Sequence, residues 1–207
     1  MEINEMKNLS LIDDEVVIGK NVTIDPFNII KGKTIIHDNC HIKSFNYIEN
    51  CEIFEDCTVE QSNLVNSVVG KGCVVGPFAR LREHALVGEN CRVGNFVEIK
   101  KSTLGNGVKA SHLAYLGDCD VGDATNVGCG AIFVNYDGKT KHHTSVGKNS
   151  FIGSNCNIIA PVKIAEGSYI CAGTTVTKDT MQNDFVIGRC RPEVKSNLAK
   201  KYLGDKK

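Results

Sequence analysis

Residues 146–176 read VGKNSFIGSNCNIIAPVKIAEGSYICAGTTV. Periods of 3.6 and 2 residues both fail over this stretch, so neither amphipathic helices nor a β-sandwich fits. A period of six instead predicts that each hexapeptide forms one short strand and one corner, and that three hexapeptides close a triangular coil. An aliphatic residue returns at every sixth position, at Val146, Ile152, Ile158, Ile164, Ile170 and Val176.

The same period continues towards the N-terminus, from Phe133 back to Ile18, with an occasional step of five. We therefore predict an all-β fold, a parallel β-helix of roughly nine or ten coils that stack about 4.8 Å apart. The predicted divisions are an N-terminal extension over 1–14, the β-helix over 15–184 and a C-terminal tail over 185–207.

Small residues follow the inward aliphatic residues by four positions, where a coil turns a corner. Cysteines occupy this position at Cys40, Cys57, Cys73, Cys91 and Cys156. A thiol behaves as a small hydrophobic group in such a place. We therefore expect reduced, packed thiols rather than disulfides, although the chain contains 10 cysteines.

The composition narrows the class of function. Lysine plus arginine equals aspartate plus glutamate at 24 each, so no overall basic field attracts nucleic acid or an anionic membrane surface. No apolar run approaches the roughly 20 residues that span a bilayer, and the N-terminus lacks the apolar stretch of a secretory signal. These features favour a cytoplasmic protein without a nucleic-acid or membrane partner.

The period is interrupted twice. Residues 134–145 are polar and contain Asp137-Gly138, which predicts a loop that protrudes from the prism. After Thr180 the chain is lysine-rich and helix-compatible, and we expect a short helical tail that packs across the last coil as a cap.

Two adjacent coils carry a surplus of cations. Arg82 falls in one coil and Lys100 in the next, each directly after an inward aliphatic residue. Both side chains should therefore project outward, as should Glu98, and a cation pair on neighbouring coils suits a phosphate group. The alternative is a solvated ladder of charges.

His112 lies two positions after the inward Ala110. Glu98 lies about one coil earlier and could orient its imidazole, and Tyr115 supplies a hydroxyl nearby. An imidazole suits proton abstraction from an amine near neutral pH. The other histidines lack the spacing of a metal site, and we predict none.

Five strings together resemble a known family. They are residues 75–82 (VGPFARLR), 93–98 (VGNFVE), 112–118 (HLAYLGD), 135–138 (NYDG) and 172–177 (AGTTVT). They look like the acetyltransferase half of the bifunctional bacterial enzymes that make UDP-N-acetylglucosamine, a cell-wall precursor. The likeness runs from about residue 15 to about residue 190 and implies that the β-helix is left-handed and forms a homotrimer with active sites between subunits.

The resemblance also implies a reaction, the transfer of acetyl from acetyl-CoA to the amine of glucosamine 1-phosphate, without a metal. His112 would be the general base and Glu98 its orienting partner, while Asn135 and Ser154 would stabilise the oxyanion. The residues implied to hold the sugar phosphate are Arg82, Lys100, Tyr115, Asn126 and Lys141, and those implied to bind acetyl-CoA are Asn135, Tyr136, Ser154, Ala172 and Arg189.

The sequence departs from the family in three ways. No counterpart of the uridyltransferase domain is present, which predicts that any uridyl transfer needs a separate partner. Ser111 replaces a glycine before His112, and Glu83-His84 replaces Pro-Gly after Arg82. Because Glu83 places a negative charge beside the phosphate site, an acetyltransferase for another amino sugar or sugar nucleotide stays open, as does a non-catalytic trimeric partner of a nucleotidyltransferase.

Overall fold

The structure is a computed structural model that describes residues 9–204. Its strands have two to four residues and are connected by tight corners. Apart from the last pair, each strand pairs in parallel with the strand three further along the chain, so that the chain returns to the same face once per coil. Three parallel sheets of ten, nine and ten strands result, and the left-handed β-helix of about ten coils is confirmed.

We number the faces in the order in which a coil visits them. Face 1 contains β1 (Leu11–Ile12), β4 (Ile29–Lys31), β7 (Tyr47–Glu49), β10 (Asn63–Val65), β13 (Arg80–Arg82), β16 (Glu98–Lys100), β19 (Tyr115–Gly117), β22 (Ile132–Val134), β25 (Asn157–Ile159) and β28 (Thr175–Val176). Face 2 contains β2 (Val17–Ile18), β5 (Ile35–Ile36), β8 (Glu52–Ile53), β11 (Val68–Val69), β14 (Leu86–Val87), β17 (Thr103–Leu104), β20 (Cys119–Val121), β23 (Thr144–Val146) and β26 (Val162–Ile164). Face 3 contains β3 (Thr23–Ile24), β6 (His41–Ile42), β9 (Thr58–Val59), β12 (Val74–Val75), β15 (Arg92–Asn95), β18 (Lys109–His112), β21 (Asn126–Val127), β24 (Phe151–Ile152), β27 (Tyr169–Ile170) and β29 (Phe185–Val186).

The core is the interior of the prism. The inward residue of almost every strand is buried, and Ile30, Leu81 and Ile158 are fully so. Each coil contributes three such side chains, which stack on their equivalents in the neighbouring coils and remove apolar surface from water. The period of six therefore has the physical cause that the sequence indicated.

All ten cysteines are free thiols, and eight of them are buried. The Sγ atoms of Cys40, Cys57, Cys73 and Cys91 each lie 3.0 Å from a backbone carbonyl oxygen to which they donate. Burial raises the pKa of Cys51 to about 11 and that of Cys119 to about 12, so both stay protonated at neutral pH. The expected corner role of the thiols is thus observed.

The loop over residues 134–145 protrudes as expected. Tyr136 and Lys141 form an antiparallel bridge, and the Asp137 carboxylate accepts backbone N–H bonds from Thr140 at 2.7 Å and Lys139 at 2.8 Å. These bonds and the adjacent His142 hold the pKa of Asp137 well below its usual range. The loop is therefore braced internally.

The ends of the β-helix differ from expectation. The first strand begins at Leu11 and the last ends at Val186, so regular coils start before residue 15 and extend past residue 184. Residues 1–8 of the predicted extension and 205–207 of the tail lie outside the described residues. The tail does form a helix, α1 (Ala199–Leu203). The predicted cap is wrong, however, because all of residues 189–204 are exposed.

Among residues 9–204, no helix has the length and hydrophobicity needed to cross a bilayer.

Candidate active site

The sequence-predicted cations meet a set of carboxylates on face 1. Adjacent strands place Arg82 beside Lys100 and Arg80 beside Glu98. Arg82 Nε donates to Glu98 Oε1 at 2.6 Å, and its Nη1 donates to Glu83. The Glu98 carboxylate is therefore bonded to the Arg82 guanidinium of the preceding coil. We call Arg82, Glu83, Glu98, Lys100 and Asp118, with Lys141, the charged cluster.

Lys100 is buried, with 3% of the residue exposed. The sequence predicted that this side chain projects outward from the prism, but not that it is buried there. The side chain does leave the prism, but Glu83 and Asp118 lie on either side of its Nζ, each at 3.3 Å. Burial disfavours the ammonium, yet these carboxylates outweigh burial and raise the pKa of Lys100.

Asp118 connects the cluster to the loop. It is 5% exposed, and its Oδ2 accepts hydrogen bonds from Asn135 Nδ2 and from Lys100 Nζ. Burial alone would raise the pKa of Asp118, but the bonds from Asn135 and Lys100 lower it below its ordinary value. Asp118 had no predicted role, because its partners lie about one coil away on either side.

We expect Asp118→Asn to lower the thermal stability by several degrees at neutral pH, at roughly 2–4 °C per kcal/mol lost. The folded-state pKa of Asp118 lies below the unfolded value of about 3.9. Its ionised form therefore stabilises the fold fully above that value, and the contribution disappears as pH falls through the folded pKa. The Tm difference between wild type and variant should be large near pH 6. It should shrink as the pH falls below about 4.

A matched control for that variant is Asp120→Asn. Asp120 lies on the same coil and pairs with His143 at 3.1 Å, but both side chains are more than half exposed. Exposed pairs contribute little to stability, so this change should leave Tm almost unaltered at every pH. A gap for Asp118→Asn that stays constant down to pH 3 would contradict the assigned ionisation.

The loop brings a further predicted cation to the cluster. The neighbouring ammonium of Lys100 lowers the pKa of Lys141. Tyr115 lies in register with Glu98. Its hydroxyl extends over Gly117, where an added Cβ would come within 2.4 Å of the phenol oxygen. Glycine at this position thus makes room for the ring.

Other predicted residues lie on face 3, in these coils or in later ones. His112 ends β18, Asn126 begins β21, and Ser154 and Ala172 follow the inward residues of β24 and β27 by two positions. His112, Ser154 and Ala172 are exposed. The carbonyl oxygen of Ala172 accepts a hydrogen bond from Arg189 Nη1 at 2.9 Å.

His112 has a partner that the sequence analysis did not assign. Its Nδ1 lies 2.7 Å from Asn95 Oδ1, while Glu98, the expected partner, is bonded to Arg82. The reason is register, because Asn95 and His112 are paired on β15 and β18, whereas Glu98 begins the next face. A signal was present in the sequence, since the two residues hold equivalent positions 17 residues apart.

The predicted residues therefore form two groups. Arg82, Lys100 and Tyr115 lie on face 1, joined by Asn135 and Lys141 of the loop, and the histidine group lies on face 3. Two faces of one prism diverge from their shared corner and cannot enclose one pocket.

Within residues 9–204, no cluster of three or more histidine, cysteine, aspartate or glutamate side chains is arranged to hold a metal ion.

Two family models match the chain. Residues 12–104 match the GMPPB C-terminal domain, and residues 143–178 match the bacterial transferase hexapeptide model of six repeats. Among solved structures, the chain is similar to an Arabidopsis UDP-N-acetylglucosamine acyltransferase, with a TM-score of 0.63 and 16% identity over 86% of this chain and 69% of that one. A Francisella novicida UDP-N-acetylglucosamine acyltransferase gives a TM-score of 0.51 at 14% identity, over 83% of this chain and 62% of that one. These likenesses show the fold.

Sequence relatives are much closer. The bifunctional protein GlmU of Clostridium novyi is 44% identical over 98% of this chain and 47% of its own length. The GlmU protein of an Exiguobacterium strain is 47% identical over 92% of this chain and 42% of its own length. The chain thus spans less than half the length of these relatives. It belongs to the GlmU family of hexapeptide-repeat proteins, of which it represents the repeat-containing acetyltransferase part.

Proposed function

We propose that this chain is an N-acetyltransferase that moves the acetyl group of acetyl-CoA onto the amine of glucosamine 1-phosphate. The observation that carries the proposal is a cationic cluster one corner away from an exposed, hydrogen-bonded histidine, in a chain 44–47% identical to GlmU proteins. The product would serve UDP-N-acetylglucosamine synthesis for the cell wall, and the reaction would take place in the cytoplasm.

The charged cluster would bind the sugar phosphate. Arg82, Lys100 and Lys141 supply cations and Tyr115 supplies a hydroxyl, while Asn126, which lies on face 3, would supply an amide from a neighbouring copy. The cluster is held together by its own carboxylates while no substrate is bound. Of these, Glu83 is the most exposed, at 48% of its side chain. A phosphate would therefore displace Glu83 from Arg82 and Lys100 and take over both cations.

The chemistry requires one nucleophilic step. The sugar amine attacks the thioester carbonyl carbon, His112 takes the amine proton, and the carbon–sulfur bond breaks. CoA then leaves as a thiolate that recovers a proton. Asn135 and Ser154 would donate to the oxyanion that develops on the carbonyl oxygen, a kind of contact typically worth about 10²–10³ in rate. Glu98 would hold Arg82 in place through its hydrogen bond from Nε rather than orient this histidine.

Acetyl-CoA would extend from His112 towards the last coils. Ser154, Ala172 and Arg189 follow His112 along the same side of face 3, and Arg189 is exposed and cationic, which suits a nucleotide phosphate. Tyr136 of the loop is 55% exposed. An exposed ring near a cation is suited to stacking on a base.

Three copies would complete the site. A row of large apolar residues follows the corner between faces 3 and 1, and all of them have positive φ. The stacked pairs Phe27–Phe45 and Phe78–Phe96 have ring centroids 5.2 and 5.4 Å apart. These four rings are 43–60% exposed in a single copy of the chain. Self-association along this corner would cover the rings.

Around a three-fold axis at this corner, face 1 of one copy would lie opposite face 3 of the next copy. Such a contact is heterologous and closes into a ring. It would bring the phosphate-binding cations of one copy opposite His112 of its neighbour. This arrangement explains why the predicted residues form two groups within one chain.

The proposal is tested by the release of CoA thiol from acetyl-CoA with a panel of acceptors. We expect release with glucosamine 1-phosphate and much less with glucosamine. The contact of Glu83 with both cations favours a second candidate acceptor, an amino sugar or sugar nucleotide without a phosphate at that position. Release with such an acceptor, but not with glucosamine 1-phosphate, would identify that acceptor as the substrate. No release with any amine would leave the non-catalytic partner of a nucleotidyltransferase as the function.

A further inference from the structure

Asn95 and His112 hold the same place in successive coils. The strings Val93-Gly-Asn-Phe and Ala110-Ser-His-Leu align so that the two inward residues and the two following polar residues are paired. Their strands, β15 and β18, have four residues each, whereas most strands of face 3 have two. The pairing between β15 and β18 therefore extends as far as Asn95 and His112.

The backbone fixes the pair at the corner. Leu113 N–H donates to the Asn95 carbonyl oxygen at 2.9 Å, so the residue after His112 is bound to Asn95. The side chains then meet at 2.7 Å, between His112 Nδ1 and Asn95 Oδ1. Position and orientation of the imidazole are therefore set by the same neighbour.

The chemistry of the two atoms decides where the ring proton lies. An amide oxygen can accept a hydrogen bond but cannot donate one. Nδ1 must therefore carry the hydrogen in the neutral ring, and the lone pair is on Nε2. His112 is exposed, which leaves Nε2 accessible to an amine.

A carboxylate oxygen in place of the Asn95 amide oxygen would also fix the hydrogen on His112 Nδ1, and it would add a negative charge beside the ring. Glu98 is the nearby candidate, but it is engaged by Arg82 Nε at 2.6 Å. The orienting group is therefore a neutral amide, and the single negative charge of Glu98 is used to hold the phosphate-binding guanidinium in place.

We infer that Asn95 is the positioning residue for His112, which holds the imidazole as the Nδ1–H tautomer so that Nε2 serves as the base. The inference rests on the proposed function for its kinetic consequence, whereas the tautomer itself can be measured without any substrate. It assigns to Asn95 a role that the resemblance did not imply.

The direct test is the nitrogen NMR spectrum of the histidine rings in the full-length protein. It is recorded about two pH units above the ordinary imidazole pKa of about 6.5, where the rings are neutral. The chain has six histidines, and His112→Gln identifies the signals of His112. We expect a protonated Nδ1 and an unprotonated Nε2. An Nε2–H tautomer in the wild-type protein would overturn the inference.

Three variants test the cause. Asn95→Leu should convert His112 to a mixture of tautomers and lower kcat about 10–100-fold, as the loss of a hydrogen-bond partner does for metal-ligating histidines, with KM values unchanged. Asn95→Asp keeps the accepting oxygen and should retain the tautomer and most of kcat. Asn63→Leu, on an exposed strand residue of β10, controls for the loss of a surface amide and should alter neither.

The double variant separates orientation from general damage. If Asn95 acts through His112, Asn95→Leu should cost no further activity once His112→Ala is present, because residues that act as a unit are not additive. An additional tenfold loss in the double variant would show that Asn95 acts independently. If no acetyl transfer is detected at all, the proposed function fails, while the NMR result still decides the tautomer.

Discussion

His112→Ala is expected to lower kcat for acetyl transfer by about 10²–10⁴-fold, the usual contribution of a positioned general base. The amine of the acceptor must lose a proton as it attacks the thioester, and His112 is an exposed imidazole at the end of β18. Since the imidazole acts in the transition state, both KM values should change little. Steady-state CoA release with glucosamine 1-phosphate measures all three constants.

A matched control is His41→Ala. His41 lies on the same face, on β6, four coils before His112, and its Nε2 pairs with Asp25 at 3.1 Å. It is partly buried and distant from the charged cluster, so its loss should leave kcat unchanged. A loss of less than threefold for His112→Ala, or an equal loss for both variants, would contradict the assignment of the base.

The repeat made the fold predictable because every coil depends on its own hexapeptides. An inward aliphatic residue such as Ile152 and a small corner residue such as Cys156 are specified locally and recur in the neighbouring coils. The ends were harder to predict. Leu11 and Ile12 form β1 although both are exposed. The first coil has a neighbouring coil on one side only, so its inward residues give a weaker hydrophobic pattern.

The tail shows the limit of composition. Helix-compatible residues after Thr180 did predict a helix, but its docking depends on an apolar face matched to the last coil. Val194 and Tyr202 are 86% and 77% exposed, so such a face is not used within this chain. Helix propensity alone carries no information about what the helix contacts.

Side-chain pairing in the site was predictable only where one partner was available. Lys100 could project outward from its strand by alternation, but its burial depends on Asp118 and Glu83 from other corners. Likewise, Glu98 could reach either Arg82 or His112 in principle, and the register of face 1 decided for Arg82. Such choices depend on coil length, which varies along this chain, so a period of six does not fix them.

The division of the site between two faces leads to the second large effect. Arg82→Ala removes a phosphate-binding cation from face 1, and His112→Ala removes the base from face 3. Each variant alone should be almost inactive. If each site takes face 1 from one copy and face 3 from its neighbour, mixed assemblies contain sites with neither change. Random mixing of the two variants should therefore restore activity in about a quarter of the sites.

Phe96→Glu provides the control for that experiment. Phe96 is 58% exposed on the corner between the two faces and stacks on Phe78. A carboxylate on each copy would meet its equivalents near the axis, where like charges in a desolvated contact repel strongly. The wild-type chain should sediment at about three times 22.5 kDa and the variant at 22.5 kDa. Adding Phe96→Glu to both inactive variants should abolish the restored activity.

The outcome distinguishes a shared site from a site within one chain. If one chain supplied every catalytic group, mixing Arg82→Ala with His112→Ala would never produce an intact site, and activity would stay at the level of the separate variants. Unfolding and refolding the two variants together, compared with mixing them as preformed assemblies, shows whether exchange of copies is required. Restoration that appears only after joint refolding, and that disappears with Phe96→Glu, is the expected result because only neighbouring copies can bring the divergent faces 1 and 3 together.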